Sequence, residues 1–162
     1  MIEDIHDPGL APEHPYGDTI QLFMFLLFFG VWVLDSFLLD LIDLTGLVPL
    51  PIRLASFLPL LALGAYLGLK SSFVVFGGTR VRELVRTGVY SWVRHPMYLG
   101  GLLFFLGFAV LTLSLPSLAV WFGMFVVYDR LAAYEEERLV QEVGGEYERY
   151  REEVPKWVPG LV

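Results

Sequence analysis

At 162 residues the chain has room for one domain and not comfortably for two. Its residues are 56% hydrophobic and only 18% charged, against about a quarter charged in typical soluble chains, which argues against a water-soluble globule. A net charge of −7 speaks against a nucleic-acid partner, and the absence of cysteine excludes disulfides, thiolate metal sites and cysteine nucleophiles. No metal ligand set is expected.

Residues 1–18, MIEDIHDPGLAPEHPYGD, read as an irregular, exposed lead-in. They are acidic and proline-rich, without the basic start and apolar core of a cleavable signal. Four apolar segments follow, at Thr19–Ile42, Ile52–Val75, Met97–Leu113 and Ser117–Leu131. A bilayer core of ~30 Å takes ~20 helical residues, and the first two segments meet that length. The last two are shorter and join at Leu113–Ser117, where Pro116 suits the start of a helix, so they form an antiparallel hairpin. Open strands cannot cross lipid, because their edge amides stay unsatisfied. The expected fold is therefore an all-α integral membrane protein of about four transmembrane helices.

Four spans put both termini and the loop between Phe76 and Pro96 on one side. That side carries Lys70, Arg80, Arg82, Arg86, Arg94, Arg130, Arg138, Arg149, Arg151 and Lys156, whereas the other has only Arg53. The positive-inside rule makes the richer side cytoplasmic. Beyond the fourth segment, Leu139, Val143, Tyr147, Tyr150 and Val154 recur as one helical stripe among charged residues, which predicts an amphipathic C-terminal helix lying on a surface. Pro155 and Pro159 end it.

Polar residues gather in two stretches, 84–101 and 134–159, each at the cytoplasmic end of an apolar span. Together they can wall a cavity at the membrane surface. In the first, Arg94 and His95 precede Pro96, the first turn of the third span. Arg94 can grip a carboxylate in a fork, His95 can donate or accept, and the helix start favours negative charge. Gly100 and Gly101 allow close approach of a helix or ligand. The plainer alternative is an interfacial anchor, with Arg94 snorkelling among Tyr90, Trp92 and Tyr98. In the second, Glu135, Glu136 and Glu137 can accept from ribose hydroxyls or an amino group and stabilise a cationic ligand, or form a solvated charge run. Tyr147 and Tyr150 are packing residues first and candidate acceptor contacts second. Asp35 stands open between an intramembrane functional acid and an interfacial one.

The run LVRTGVYSWVRHPMYLG resembles the G-x-Y-x-x-x-RHP-x-Y-x-G signature of the isoprenylcysteine carboxyl methyltransferase family and its phospholipid N-methyltransferase relatives. The tail is similar to that family's EE-x-x-L, G-x-x-Y-x-x-Y and VP-x-x-x-P succession, here Glu135, Glu136 and Leu139, then Gly144, Tyr147 and Tyr150, then Val154, Pro155 and Pro159. The match covers residues 84–160, in order and spacing. Val89, Gly145 and Lys156 depart from the residues common there, and the first half matches only in hydrophobicity. The resemblance implies a single domain, 1–162, whose cytoplasmic tail closes over S-adenosylmethionine. It implies cofactor contacts from Tyr90, Arg94, His95, Tyr98, Gly100, Glu135 and Glu136. It also implies a lipophilic or prenylated methyl acceptor arriving from the bilayer, most simply through its carboxylate. Such an acceptor is already ionised and needs a cation to orient it, and Arg151, steadied by Glu146, is the candidate. A membrane sterol or fatty-chain reductase using NADPH and a non-catalytic scaffold are the alternatives. The Glu-rich tail weighs against the reductase, whose cofactor phosphate demands basic residues.

Overall fold

A computed structural model describes residues 14–42, 44–76 and 84–160 of the chain. Most of the expected lead-in, residues 1–13, lies outside these, as do Asp43 and the first part of the Phe76–Pro96 loop, residues 77–83, with Arg80 and Arg82. Among the described residues every regular element is a helix. Helix α1 spans Gly17–Val33 and continues as a π-helical turn, Leu34–Leu39. Helix α2 spans Leu50–Phe76, α3 Pro96–Thr112, α4 Leu115–Val143 and α5 Gly145–Glu153. A single 3-10 turn, Gly88–Ser91, precedes α3.

Three of these are long and apolar enough to cross a membrane: Gly17–Leu39, Leu50–Phe73 and Leu115–Val143. The fourth expected span, α3, is an apolar helix of 17 residues, about 26 Å long, somewhat short of the ~30 Å hydrocarbon core. Only 11% of the residues in the most apolar stretches of the first two spans are buried within the protein. Their outward faces are rows of Leu, Phe and Val, the surface a lipid solvent accepts.

Local sequence explains the helix ends. Pro96 opens α3 at a position where its missing N–H costs nothing. Ser114 caps α4, its hydroxyl oxygen accepting from the Ser117 amide at 3.2 Å. Between them Leu113 takes the left-handed conformation, φ 54°, which closes the hairpin in one residue. The last apolar segment runs much further than its hydropathy suggests. Ala132, Ala133 and the glutamates after them are good helix formers, so α4 continues to Val143. The expected unbroken tail stripe is corrected at Gly144, whose φ of 65° and ψ of −138° end α4 and start α5. The stripe still converges. Tyr147, Tyr150 and Val154 from α5 and its end pack with Leu139, Val140 and Val143 of α4, and with Leu84.

Helix α3 is central. On one side it meets α2 at backbone contact, because Gly64 and Gly100 face each other. A methyl group on either would stand 2.7–2.8 Å from the other's carbonyl oxygen. On the other side Phe28, Phe29 and Trp32 of α1 interleave with Phe104, Phe105 and Phe108, ring centroids 4.9–6.4 Å apart. Met124, Tyr128, Leu131 and Ala132 of α4 complete this core.

Asp35 finds a structural use. It is buried in the π-helical turn, accepts from the Ser114 hydroxyl at 2.5 Å and from the Leu41 amide at 3.3 Å, and so ties α1 to the α3–α4 turn. Beside it Thr112 accepts from Trp32 Nε1 at 3.1 Å and from the Ser36 hydroxyl at 2.9 Å.

Candidate functional site

The end of the bundle opposite Asp35 brings the two polar stretches together. Arg94 and His95 precede α3, and Glu135 and Glu136 lie on α4 beyond its apolar part. His95 Nε2 lies 3.0 Å from Glu136 Oε1, and Arg94 Nε donates to the same oxygen at 2.9 Å. His95 Nδ1 stands 3.6 Å from Glu135 Oε2, longer than a hydrogen bond, and the Tyr98 hydroxyl donates to the other Glu135 oxygen. Five of the residues expected to contact a cofactor thus form one connected cluster, joined across about forty positions of sequence.

The cluster is partly desolvated, with His95 7% and Glu136 8% exposed. Burial works against a charged imidazole, but the contacts with Glu135 and Glu136 outweigh it and hold the His95 pKa above its ordinary value. The ring is therefore an imidazolium over a wider pH range than a free histidine. With Arg94 it balances two carboxylates.

The guanidinium of Arg94 also reaches the end of α5. Its Nη1 donates to the carbonyls of Arg151, at 2.8 Å, and Val154, at 2.7 Å, while its own amide donates to the Pro155 carbonyl at 2.9 Å. These bonds fold the segment after α5 back over the cluster. Beside this return lies an apolar cavity of about 260 Å³, lined by Leu63 and Leu67 of α2, Leu99 and Leu103 of α3, Trp92 and Val93 before α3, and Trp157 to Pro159.

The remaining expected residues stand around this centre. Tyr90 presents its backbone, its carbonyl accepting from the Tyr150 hydroxyl at 2.6 Å. Gly100 lies one turn into α3, in the crossing with α2. Tyr147 and Tyr150 are buried, which pushes both phenols above their usual pKa and leaves them neutral. The expected partnership of Glu146 with Arg151 is not the one formed. Five residues apart on a helix, they point about 140° from each other. Glu146 instead pairs with Arg86 at 2.8 Å, and Arg151 is exposed.

Sequence reading missed Asp129 and Trp157. The Trp157 indole N–H donates to Asp129 Oδ1 at 2.9 Å, and Lys156 Nζ reaches the same oxygen at 2.6 Å. A signal was present, since Asp129 lies seven residues before Glu136 and so on the same face of α4.

Among the described residues no cluster of His, Cys, Asp and Glu suits a metal ion. The donor set does suit S-adenosylmethionine, which carries a carboxylate, an ammonium group, a sulfonium and a ribose diol. Glu135 keeps acceptor capacity on Oε2 for a cationic or hydroxyl group.

Residues 52–146 match the model of the phospholipid methyltransferase family. The chain is 36% identical to protein-S-isoprenylcysteine O-methyltransferase of Saccharomyces cerevisiae, over 47% of this chain and 32% of that protein. It is 35% identical to methanethiol S-methyltransferase 2 of Bradyrhizobium diazoefficiens, over 58% of this chain and 36% of that protein. It is 30% identical to the cobalt-zinc-cadmium resistance protein CzcN of Cupriavidus metallidurans, over 96% of this chain and 75% of that protein. The chain thus spans about a third of the length of the two methyltransferases. No solved structure gives a significant match.

Proposed function

The chain belongs to the phospholipid methyltransferase family, and on that premise we propose that it transfers a methyl group from S-adenosylmethionine to the carboxylate of a lipophilic, prenylcysteine-like acceptor. The observation that carries this reading is the joining of His95, Arg94, Glu135 and Glu136 beside an apolar cavity. A polar cluster suits the charged donor, and an adjoining apolar space suits the acceptor's chain.

S-adenosylmethionine, when bound, supplies a methyl carbon on a positively charged sulfur, which keeps the bonding pair as the methyl departs. The protein's work is to position and to exclude water, which contributes up to ~7–11 kcal/mol in favourable systems. Glu135 and Glu136 favour the cation, while His95 and Arg94 hold the acids in place. Tyr98 steadies Glu135, and Tyr90, through its carbonyl, holds Tyr150. Tyr147 and Tyr150 keep α5 seated on α4. No side chain has to accept a proton from an acceptor that is already ionised. Arg151, exposed on α5, is free of the expected Glu146 pairing and is the cation proposed to orient the incoming carboxylate.

In this reading α3 is a fourth span, shortened where it meets the site, and the cluster faces the cytoplasm, on the side rich in Arg and Lys. The test is calorimetric titration of detergent-purified protein with S-adenosylhomocysteine and with NADPH. Saturable heat is expected only with the first. His95→Ala should weaken that binding by about tenfold or more, the loss expected for hydrogen bonds to charged groups, while a cooperative unfolding transition remains. NADPH binding in place of S-adenosylhomocysteine overturns the proposal.

A further inference from the structure

Residues 154–160 leave α5 without helical structure and return along α4. Two carboxylates of α4 hold them. Asp129 and Glu136 are seven residues apart, two helical turns and about 10 Å along one face. Glu136 secures the start of the return through Arg94, which binds the carbonyls of Arg151 and Val154. Asp129 secures its middle. Its Oδ1 takes both Lys156 Nζ, at 2.6 Å, and Trp157 Nε1, at 2.9 Å, while its backbone carbonyl takes Lys156 Nζ again at 3.0 Å. Nothing in the proposed chemistry requires this second tie.

What it fixes is the Trp157 ring. The indole packs on Phe125 with centroids 5.5 Å apart and lies 6.1 Å from the His95 ring. The same side chain lines the apolar cavity, with Leu63 and Leu67 among the other walls. Trp157 is therefore the surface that the polar cluster and the cavity share. An indole held at its N–H by a carboxylate, on a segment tied at two points, is a placed wall rather than a loose one.

We propose that Trp157 is the partition that closes the acceptor's apolar space against the polar cluster, and that Asp129 is the positioning residue that fixes this partition and so sets acceptor length. The inference rests on the reading above that a chain-bearing acceptor meets a sulfonium donor here. Removing the indole should enlarge the apolar space and favour longer chains. Freeing it, without removing it, should blur the preference.

The test uses the full chain in detergent with N-acetylcysteine thioethers carrying geranyl, farnesyl or geranylgeranyl chains. Trp157→Ala is expected to shift the ratio of KM values toward the longest chain by about tenfold, with S-adenosylhomocysteine affinity unchanged. Asp129→Asn and Trp157→Phe should raise KM for the best chain and leave kcat nearly as it was. A readout without turnover is quenching of tryptophan fluorescence by an ω-bromododecyl thioether of N-acetylcysteine. Trp157→Phe, which keeps an aromatic ring but not the indole, should lose a large part of it. Unchanged chain preference, or quenching as strong in Trp157→Phe as in the unaltered chain, overturns the partition. Loss of S-adenosylhomocysteine binding in step with KM overturns it too. Quenching at Trp157 in a protein that binds no S-adenosylhomocysteine sinks the proposed reaction and overturns the partition with it, leaving Trp157 only as a wall of an apolar chain-binding space.

Discussion

His95 shows how two opposed effects resolve at one residue. Burial alone would strip the ring of its proton, but two glutamates restore it. A histidine whose folded pKa is raised stabilises the fold fully below its unfolded value of about 6.5, and loses that contribution as pH rises through the raised value. Thermal unfolding of the unaltered chain and of His95→Asn, from about pH 6 to about pH 9, should therefore show a gap that narrows as pH rises. A constant gap would mean that folding leaves the ring's pKa where it is in the unfolded chain. Arg151 tests the other half of the site. Alanine there keeps the backbone carbonyl that Arg94 uses, so the cluster should persist. Turnover of a carboxylate acceptor should fall by about tenfold or more, with S-adenosylhomocysteine affinity unchanged. Unaltered turnover would remove Arg151 from the mechanism.

Among the elements, the crossing of α2 and α3 is the least forgiving. A Cβ on Gly100 would stand 2.8 Å from the Gly64 carbonyl oxygen and 2.9 Å from the Gly68 amide nitrogen, and neither is a side chain that can swing away. Gly100→Val should therefore cost about 1–3 kcal/mol or more, read as a lowered unfolding temperature in detergent. Gly101→Ala, with only the Tyr128 ring at 3.8 Å, is the mild control. The sequence signalled that position 100 had to be small, but not which neighbour required it, because a glycine carries no mark of its partner. The helices themselves were largely legible, since apolar runs bounded by proline and glycine admit few alternatives. The continuation of α4 to Val143 was not, because hydropathy measures the membrane and not the helix. Among site residues, His95 and the glutamates were legible as motifs. Asp129 and Trp157 were not, because the spacing that puts Asp129 on the face of Glu136 does not reveal the return of the chain on which their bond depends.

For the whole molecule, polar ties sit at both ends of an apolar body, Asp35 with Ser114 at one end and the His95–Glu136 cluster at the other. This arrangement fixes a prediction about orientation. The chain has no cysteine, so a single one introduced at Gly46 gives a clean label. It should react with a membrane-impermeant maleimide from outside intact cells, whereas a cysteine at Glu148 should react only after the membrane is opened. The reverse pattern would put the cluster on the outer face. The bonds from Arg94 to the end of α5 carry a different consequence. All three acceptors, at 151, 154 and 155, are main-chain carbonyls. Ordinary replacement of those amino acids leaves the acceptors in place, so the identities there can drift over evolutionary time. Adding or deleting one residue between Glu136 and Val154 would move every carbonyl out of reach at once, and natural variation in this stretch should be free in spelling but fixed in length.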